Sequence, residues 1–158
     1  MSDFLGEIIE LKKKRLAIAK AKISLADLKR KALDVREKSA PHRLRKALAQ
    51  NGKINIIAEI KRASPSKGVI NDKIDVAETA RNYERGGACA ISVLTEEDRF
   101  QGSLEDLTTA RNSVAIPILR KDFIYEAFKF TKRRQAAQTR FCSLRRCWTI
   151  KTCQIFIV

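Results

Sequence analysis

The chain has 158 residues, 44% of them hydrophobic, which is enough apolar material for one folded domain with a real core. Its formal net charge of +15 would ordinarily suggest nucleic acid or an anionic membrane as a partner, but residues 131–158 hold seven Lys or Arg and no acid, so almost half of the excess lies there. The opening MSDFLGEIIE has acidic residues before any basic cluster and no long apolar run, so we expect neither a signal peptide nor a membrane span and predict a cytoplasmic protein.

The four cysteines do not indicate a metal site or a disulfide framework. Cys89 lies in an apolar stretch, and Cys142, Cys147 and Cys153 lie near the end without the paired short spacings of zinc ligands. The sequence therefore predicts no metal.

Residues 3–49 have the pattern of two or three amphipathic helices. Apolar residues recur there at helical spacing, with Lys and Arg between them. Ser24 and Asp27 are candidate cap positions, and Pro41 marks a break. A basic helix face of this kind is typical of a solvated surface.

From Ile54 onward, strands and helices alternate. The pattern predicts strands at residues 54–60, 88–94 and 116–119 and helices at residues 76–85 and 104–112. Gly86 and Gly87 end the first of these helices. Strand, helix and strand with short connections are typical of right-handed βαβ units and a parallel sheet.

Polar side chains stand at the carboxyl end of each predicted strand, where parallel α/β folds assemble their active sites. These residues are Lys61 and Ser64 after the first strand, Thr95 and Glu96 after the second, and Lys121 and Asp122 after the third.

Glu59 and Lys61 are two residues apart on one strand, so their side chains leave the same face. If that face lines a barrel, a carboxylate and an ammonium meet at its mouth, where Lys61 can anchor an anion or donate a proton. Ser64 and Ser66 bracket Pro65 in a loop rich in hydroxyl and backbone donors. On these grounds alone, a structural ion pair remains the commoner explanation of Glu59 and Lys61.

Three segments, in order, resemble motifs of the indole-3-glycerol phosphate synthases. AEIKRASPSKGVI resembles the family's first barrel strand, ISVLTEEDRFQGSLEDL its second strand with the following aromatic, Gly, Ser loop, and PILRKDFI its third strand. The resemblance covers about residues 4–130 and implies an α/β fold of the (β/α)8 TIM-barrel family, truncated to the N-terminal helices plus about three βα units. We accordingly expect an N-terminal helical extension at residues 1–49, the first βα units of a TIM barrel at residues 50–130, and a non-family tail at residues 131–158.

The resemblance also implies a carboxy-lyase of tryptophan biosynthesis. It would close the indole ring of 1-(2-carboxyphenylamino)-1-deoxyribulose 5-phosphate, with loss of carbon dioxide and water and without a cofactor. Lys121 would be the general acid that protonates the ketone oxygen, Lys61 would hold the anionic groups and assist proton transfer, and Glu59 would act in the dehydration. The substrate-binding residues that it implies are Ser64, as a hydrogen-bonding group, and Phe100 and Phe123, as the slot for the anthranilate ring.

Residues 131–158 depart from the family pattern, with no acid, no glycine and no convincing period. We interpret them as a frame-shifted tail: shifting the frame back by one base at Phe130, with synonymous codons chosen freely, recovers YEAAAGGSDAILLVAAMLDDQDL, which resembles the family's next segment. We therefore predict a truncated chain that is inactive alone, because the family's later strands carry a general-base carboxylate and the main phosphate-binding loops.

Two other classes of function stay open. A small basic protein could bind nucleic acid through its first helices and tail, with a steep salt dependence. A non-catalytic α/β module could bind a phosphorylated metabolite. The clustering of acids among the three predicted strands argues against the nucleic-acid function. The resemblance implies a phosphorylated small molecule as partner, with no nucleic acid and no membrane, and a fusion to other tryptophan-pathway enzymes stays open.

Overall fold

The computed structural model describes residues 4–37, 42–123 and 140–142. These residues fall into two compact units, with residues 4–37 and Phe123 in one and residues 42–122 and 140–142 in the other. The predicted break at Pro41 and most of the predicted tail, residues 131–139 and 143–158, lie outside the described residues. None of the described helices has both the length and the hydropathy of a membrane span.

The first unit contains two helices, α1 (Phe4–Lys22) and α2 (Leu25–Glu37). Ser24 caps α2, because its Oγ accepts a hydrogen bond from the backbone N–H of Asp27 at 3.0 Å. The Ser24 hydroxyl in turn donates to the Asp27 carboxylate at 2.6 Å. Both predicted cap positions therefore act at the start of α2. A small apolar core joins the helices and consists of Leu16, Leu28, Ala19 and Ile23.

The second unit is a parallel α/β layer preceded by a short helix. Its helices are α3 (Arg43–Leu48), α4 (Val76–Arg85) and α5 (Leu104–Ser113). Its strands are β1 (Ile57–Ile60), β2 (Ala63–Ser64), β3 (Gly68–Val69), β4 (Ala90–Leu94), β5 (Ile118–Lys121) and β6 (Arg140–Cys142). Strands β1, β4, β5 and β6 form one parallel sheet in that order, and β2 and β3 form an antiparallel pair in the loop after β1.

The predicted alternation of strands and helices is confirmed, and α4 begins and ends at the predicted residues. The Asp75 carboxylate caps α4 by accepting the backbone N–H of Glu78 at 2.9 Å. At the other end Gly86 is the C-cap, and Gly87 has a φ of 86°, a left-handed conformation that glycine adopts without strain.

All three predicted strands differ from their predicted bounds, and β4 begins at Ala90 instead of residue 88. β1 begins at Ile57, because Ile54 is 81% exposed and the Asn55 amide donates to the carbonyls of Leu48 and Gln50, which ties this segment to the end of α3. β5 is shifted by two residues at each end, from the predicted 116–119 to Ile118–Lys121.

A fourth parallel strand, β6, lies beside β5 in a segment where no strand was predicted from the residues present. Its pairing joins Leu119 to Arg140, Arg120 to Phe141 and Lys121 to Cys142. The edge of β5 offers backbone N–H and C=O groups that any extended segment can pair with. Such pairing needs no hydrophobic period, so the composition of the segment could not reveal it.

The two faces of the sheet are packed differently. The face under α4 and α5, called here the outer face, carries the main apolar core: Ile60, Ile91, Val93 and Ile118 from the strands, with Val76, Ala80, Leu107 and Ala110 from the helices. On the opposite, inner face, a smaller cluster joins Leu44 of α3 to Ala90 and Leu119, near the amino ends of the strands. The carboxyl end of the inner face is occupied by polar side chains.

Candidate active site

A buried carboxylate joins two lysines at the carboxyl end of the inner face. The Nζ atom of Lys121 donates to Glu59 Oε2 at 2.6 Å, and the Nζ atom of Lys61 lies 3.1 Å from Glu59 Oε1. The Glu59 side chain is 2% exposed, whereas those of Lys61 and Lys121 are 15% and 35% exposed. The carboxylate therefore forms the floor of this inner cluster, and the two ammonium groups form its rim.

The two contacts of Glu59 differ in kind. Its Oε2 atom accepts a well-formed hydrogen bond, whereas Oε1 is buried and has no hydrogen bond of good geometry within the described residues. The approach of Lys61 to Oε1 is thus an electrostatic contact. Within the described residues, Oε1 therefore keeps hydrogen-bonding capacity beside the Lys61 ammonium.

The register of the strands explains how Lys121 reaches Glu59. Glu59 pairs with Ser92, and Ser92 pairs with Leu119, so all three leave the inner face. Lys121 lies two residues beyond Leu119 and leaves the same face. Glu59 and Lys121 are on strands separated by β4, and the small buried Ser92 between them leaves room for the long lysine side chain to cross.

A hydrogen bond from α4 holds the backbone of β1 at this point. The Tyr83 hydroxyl donates to the carbonyl oxygen of Glu59 at 3.2 Å. Tyr83 is half-buried against the outer core. The floor of the inner cluster is thereby tied to a helix on the opposite side of the sheet.

The loop after β1, which carries Ser64, is fastened by Arg62. Its guanidinium donates to both carboxylate oxygens of Asp106, at 3.1 and 2.7 Å, and to the carbonyl of Asp72 at 2.7 Å. The hydrogen bonds to Asp106 raise the pKa of Arg62. The backbone carbonyl of Arg62 accepts the N–H groups of Ile70 and Asn71. Ser64 itself is buried in β2.

The loop after β4, which carries Phe100, is organised by Glu96. This side chain is fully buried, and its carboxylate accepts the backbone N–H groups of Asp98, Arg99 and Phe100 at 3.2, 2.6 and 3.1 Å. The loop then passes so close to β4 that a Cβ on Gly102 would lie 2.2 Å from the carbonyl oxygen of Leu94. Only glycine fits there.

Sequence reasoning placed Glu96 at a strand end but missed its role, and it missed Tyr83 altogether. No local signal reveals the first, because every residue other than proline has a backbone N–H that a carboxylate could accept. The second depends on a contact between Tyr83 and Glu59, far apart in sequence, that no local pattern encodes.

The structure brings Glu59, Lys61 and Lys121 together, as the strand pattern predicted. It also joins the loops of Ser64 and Phe100, because the N–H of Ala63 donates to the carbonyl of Phe100 at 3.2 Å. Phe123 is half-buried, directly after Asp122, and belongs to the first unit. Its predicted contact with substrate stays a prediction.

The sequence profile of indole-3-glycerol phosphate synthase matches residues 5–140. The indole-3-glycerol phosphate synthase of Carboxydothermus hydrogenoformans is 44% identical over 129 residues, which cover 80% of this chain and 49% of the relative. That of Syntrophobacter fumaroxidans is 47% identical over 131 residues, or 82% and 48%. That of Rhodococcus opacus is 58% identical over 88 residues, or 56% and 32%. The chain spans about half the length of the first two relatives.

Proposed function

This chain belongs to the indole-3-glycerol phosphate synthase family, and we propose from that membership that its inner cluster is part of the active site of a carboxy-lyase. The substrate would be 1-(2-carboxyphenylamino)-1-deoxyribulose 5-phosphate, and the product an indole. The observation that carries the proposal is the pair of partly exposed lysines held over one buried carboxylate. Cationic groups at the mouth of a polar cleft favour capture of an anionic phosphorylated substrate.

In ring closure, the aromatic carbon that bears the carboxylate forms a bond to the ketone carbon, and negative charge develops on the ketone oxygen. The ammonium of Lys121 can stabilise that charge and donate its proton to the oxygen. Glu59 orients Lys121 from below, and the exposed side of Lys121 is where the substrate can approach. Loss of carbon dioxide then returns the bonding electron pair to the ring.

Dehydration needs a proton acceptor and a donor close together. Glu59 Oε1 offers a buried lone pair, and the ammonium of Lys61 lies 3.1 Å away. In the proposed reaction, Glu59 acts in removal of the proton while Lys61 holds the anionic groups and assists departure of the hydroxyl as water. Ser64, Phe100 and Phe123 complete the proposal as substrate-binding residues, Ser64 as a hydrogen-bonding group and the two aromatic rings as the slot for the anthranilate.

We also propose the division of the chain that the motifs suggest: residues 1–49 as a helical extension, residues 50–130 as the first βα units of a TIM barrel, and residues 131–158 as a frame-shifted tail. The consecutive parallel order of β1, β4, β5 and β6 supports the barrel assignment. The family profile reaches residue 140, beyond the expected end of the resemblance near residue 130. Reading the gene across the codons of Phe130 and Thr131 tests the tail; an uninterrupted frame in independent isolates would contradict it.

The test of activity supplies the other strands from a relative. Residues 42–123 of this chain replace the matching segment of the Syntrophobacter fumaroxidans relative, and indole fluorescence is followed after the substrate is added. We expect turnover comparable to that of the intact relative. Lys121→Met should lower it by about a hundredfold or more, the usual contribution of a general acid. The matched control is Lys73→Met, because Lys73 is exposed and outside the inner cluster.

A folded chimera in which Lys121→Met and Lys73→Met have the same turnover would contradict the proposal. The chain by itself is a separate arm of the experiment. We expect little or no indole from it, because residues 131–158 depart from the family pattern and the family's later strands carry the general-base carboxylate and the main phosphate-binding loops. Turnover near that of the intact relative would contradict this second expectation.

A further inference from the structure

A second polar cluster lies on the outer face, directly behind Lys121. The Nε atom of Arg120 donates to Thr95 Oγ1 at 2.7 Å, and Arg120 Nη2 donates to Asp122 Oδ2 at 2.6 Å. The side chains of Arg120 and Asp122 are 9% and 1% exposed, and Thr95 is 1% exposed. This outer cluster is therefore sealed from solvent, and the proposed reaction does not use it.

Thr95 connects the outer cluster to the backbone of Lys121. Its N–H donates to the Lys121 carbonyl at 2.9 Å, and its hydroxyl lies 3.4 Å from the same oxygen. Because Arg120 can only donate, the Thr95 hydroxyl accepts from Arg120 and directs its single proton to Lys121. A continuous chain of hydrogen bonds thus runs from Asp122 through Arg120 and Thr95 to the Lys121 carbonyl.

The backbone on both sides of Lys121 is fixed by this arrangement. Arg120 precedes Lys121 and Asp122 follows it, and their side chains are joined to each other on the outer face. The Lys121 side chain must consequently leave the inner face, toward Glu59. A lysine that is 35% exposed would otherwise distribute its long side chain among many rotamers in solvent.

The outer cluster is poorly explained by stability alone. A buried ion pair loses much hydration, and apolar side chains of similar volume often stabilise a protein at least as well. Apolar side chains would be compatible with the outer face at this point, because Ile60 and Val93 already fill it at the register level of Arg120. They could not, however, donate to or accept from the Lys121 backbone.

We propose that Thr95, Arg120 and Asp122 are positioning residues that hold the Lys121 ammonium against Glu59 through the sheet. The catalytic meaning of this inference rests on the proposed function, whereas the geometry it asserts does not. Misplacement of a reacting group by about 1 Å can lower a rate by about a hundredfold, so a clamp behind the general acid has a clear use.

The test compares two substitutions of one side chain in the full chain. Thr95→Val keeps the shape and loses the hydroxyl, and Thr95→Ser keeps the hydroxyl. Each protein is labelled with limiting acetic anhydride at fixed pH, and acetylation of individual lysines is measured by mass spectrometry. We expect the ratio of Lys121 to Lys61 labelling to rise about threefold or more in Thr95→Val, the size of effect that loss of one hydrogen bond produces. Thr95→Ser should keep the wild-type ratio.

Lys61 is the internal control, because it contacts the same carboxylate but has no link to the outer cluster in the described residues. An unchanged ratio in folded Thr95→Val overturns the proposal. A parallel rise of Lys61 and Lys121 also overturns it, since the whole inner cluster has then loosened. If Thr95→Val does not fold, the same labelling is done on Asp122→Asn, which removes the charge that Arg120 pairs with. An unchanged ratio, or a parallel rise of Lys61 and Lys121, overturns the proposal there too.

The labelling ratio requires no turnover, so it succeeds or fails independently of the proposed enzyme activity. In the chimera with the Syntrophobacter fumaroxidans relative, Thr95→Val should lower kcat with little change in KM, and Thr95→Ser should restore it. A raised labelling ratio with an inactive parent chimera would reject the proposed function and keep the positioning role. An active chimera with an unchanged labelling ratio would keep the proposed function and reject the positioning role.

Discussion

The inner and outer clusters lie back to back at the end of β5 and are built from neighbouring residues. Arg120 and Asp122 leave the outer face and Lys121 the inner face, because side chains alternate along a strand. The outer pair is almost completely buried, whereas in the inner cluster the carboxylate is buried and the lysines reach solvent. Among the residues that the structure describes, the inner cluster is the one of the two that a ligand can approach.

This difference shows that the extent of burial separates two roles that a cluster of charged residues can have. A buried ion pair can fix the backbone but cannot contact a substrate. A solvent-exposed ion pair can contact a substrate, but other residues must hold it in place. In the second unit the backbone of Lys121 links the two: its carbonyl is held by Thr95 and its ammonium by Glu59. Substitutions on the two faces should therefore affect stability to different extents.

The largest expected effect on stability is that of Asp122→Ala. This substitution leaves the Arg120 guanidinium buried without its carboxylate, and removing one partner of a buried pair typically costs about 3–5 kcal/mol. The free energy of unfolding can be measured from denaturant titrations followed by circular dichroism. Asp34→Ala, at an exposed position of α2, is the control and should stay within about 0.5 kcal/mol of wild type. Similar values for both variants would contradict the contrast.

Glu59→Gln should have a smaller effect on the same measurement. It keeps the shape of the side chain and removes the charge that both lysines contact. Because those ammonium groups can turn toward water, we expect a loss of about 1.5–3 kcal/mol, the range for hydrogen bonds to charged groups. Acetylation of both Lys61 and Lys121 should rise together, unlike the selective rise expected for Thr95→Val. A loss of unfolding free energy as large as that of Asp122→Ala would contradict the expected difference between the solvent-exposed inner cluster and the buried outer cluster.

Much of this arrangement could be predicted from local pattern. The spacing of Glu59 and Lys61 sets their common face, and the rule that parallel strands end at one edge brings Lys121 to the same place. The bounds of α4 follow from Asp75 at one end and a pair of glycines at the other. These features depend on a few neighbouring residues, so the amino-acid sequence of this chain is sufficient to predict them.

The remaining features depend on register and on contacts between distant segments. The predicted strand ends at residue 119, and only the pairing of Arg120 with Val93 shows that Arg120 lies inside β5 on the outer face. The bond between Tyr83 and the Glu59 carbonyl and the pairing of β6 with β5 are also long-range. A one-residue change of register would have reversed the face of every side chain in the strand, and the sequence alone does not exclude it.

Arg62→Met tests an ion pair of intermediate burial. The side chains of Arg62 and Asp106 are 22% and 11% exposed, and the substitution removes both of their hydrogen bonds. We expect a loss of about 1–2 kcal/mol in the free energy of unfolding. The pKa of Arg62 is raised, so the pair's contribution is complete below the ordinary pKa of arginine and is lost only as the pH rises through the still higher folded value. The difference between wild type and Arg62→Met should accordingly be constant from neutral to mildly alkaline pH; a decline over that range would contradict it.

The smallest effect should come from Asp27, an exposed group in α2 of the first unit. The hydrogen bond from Ser24, and after it the charge of Arg30, lower the pKa of Asp27. A lowered folded pKa gives stability that is present above the unfolded value and lost as the pH falls through the folded one. The helical circular dichroism of wild type should therefore exceed that of Asp27→Asn at neutral pH and converge with it in acid. Because the group is exposed, added salt should shrink the Arg30 part of the difference. Curves that stay parallel from neutral to acid pH would show that the carboxylate does not support α2, and would leave the backbone cap at Ser24 as the whole of its N-terminal stabilisation.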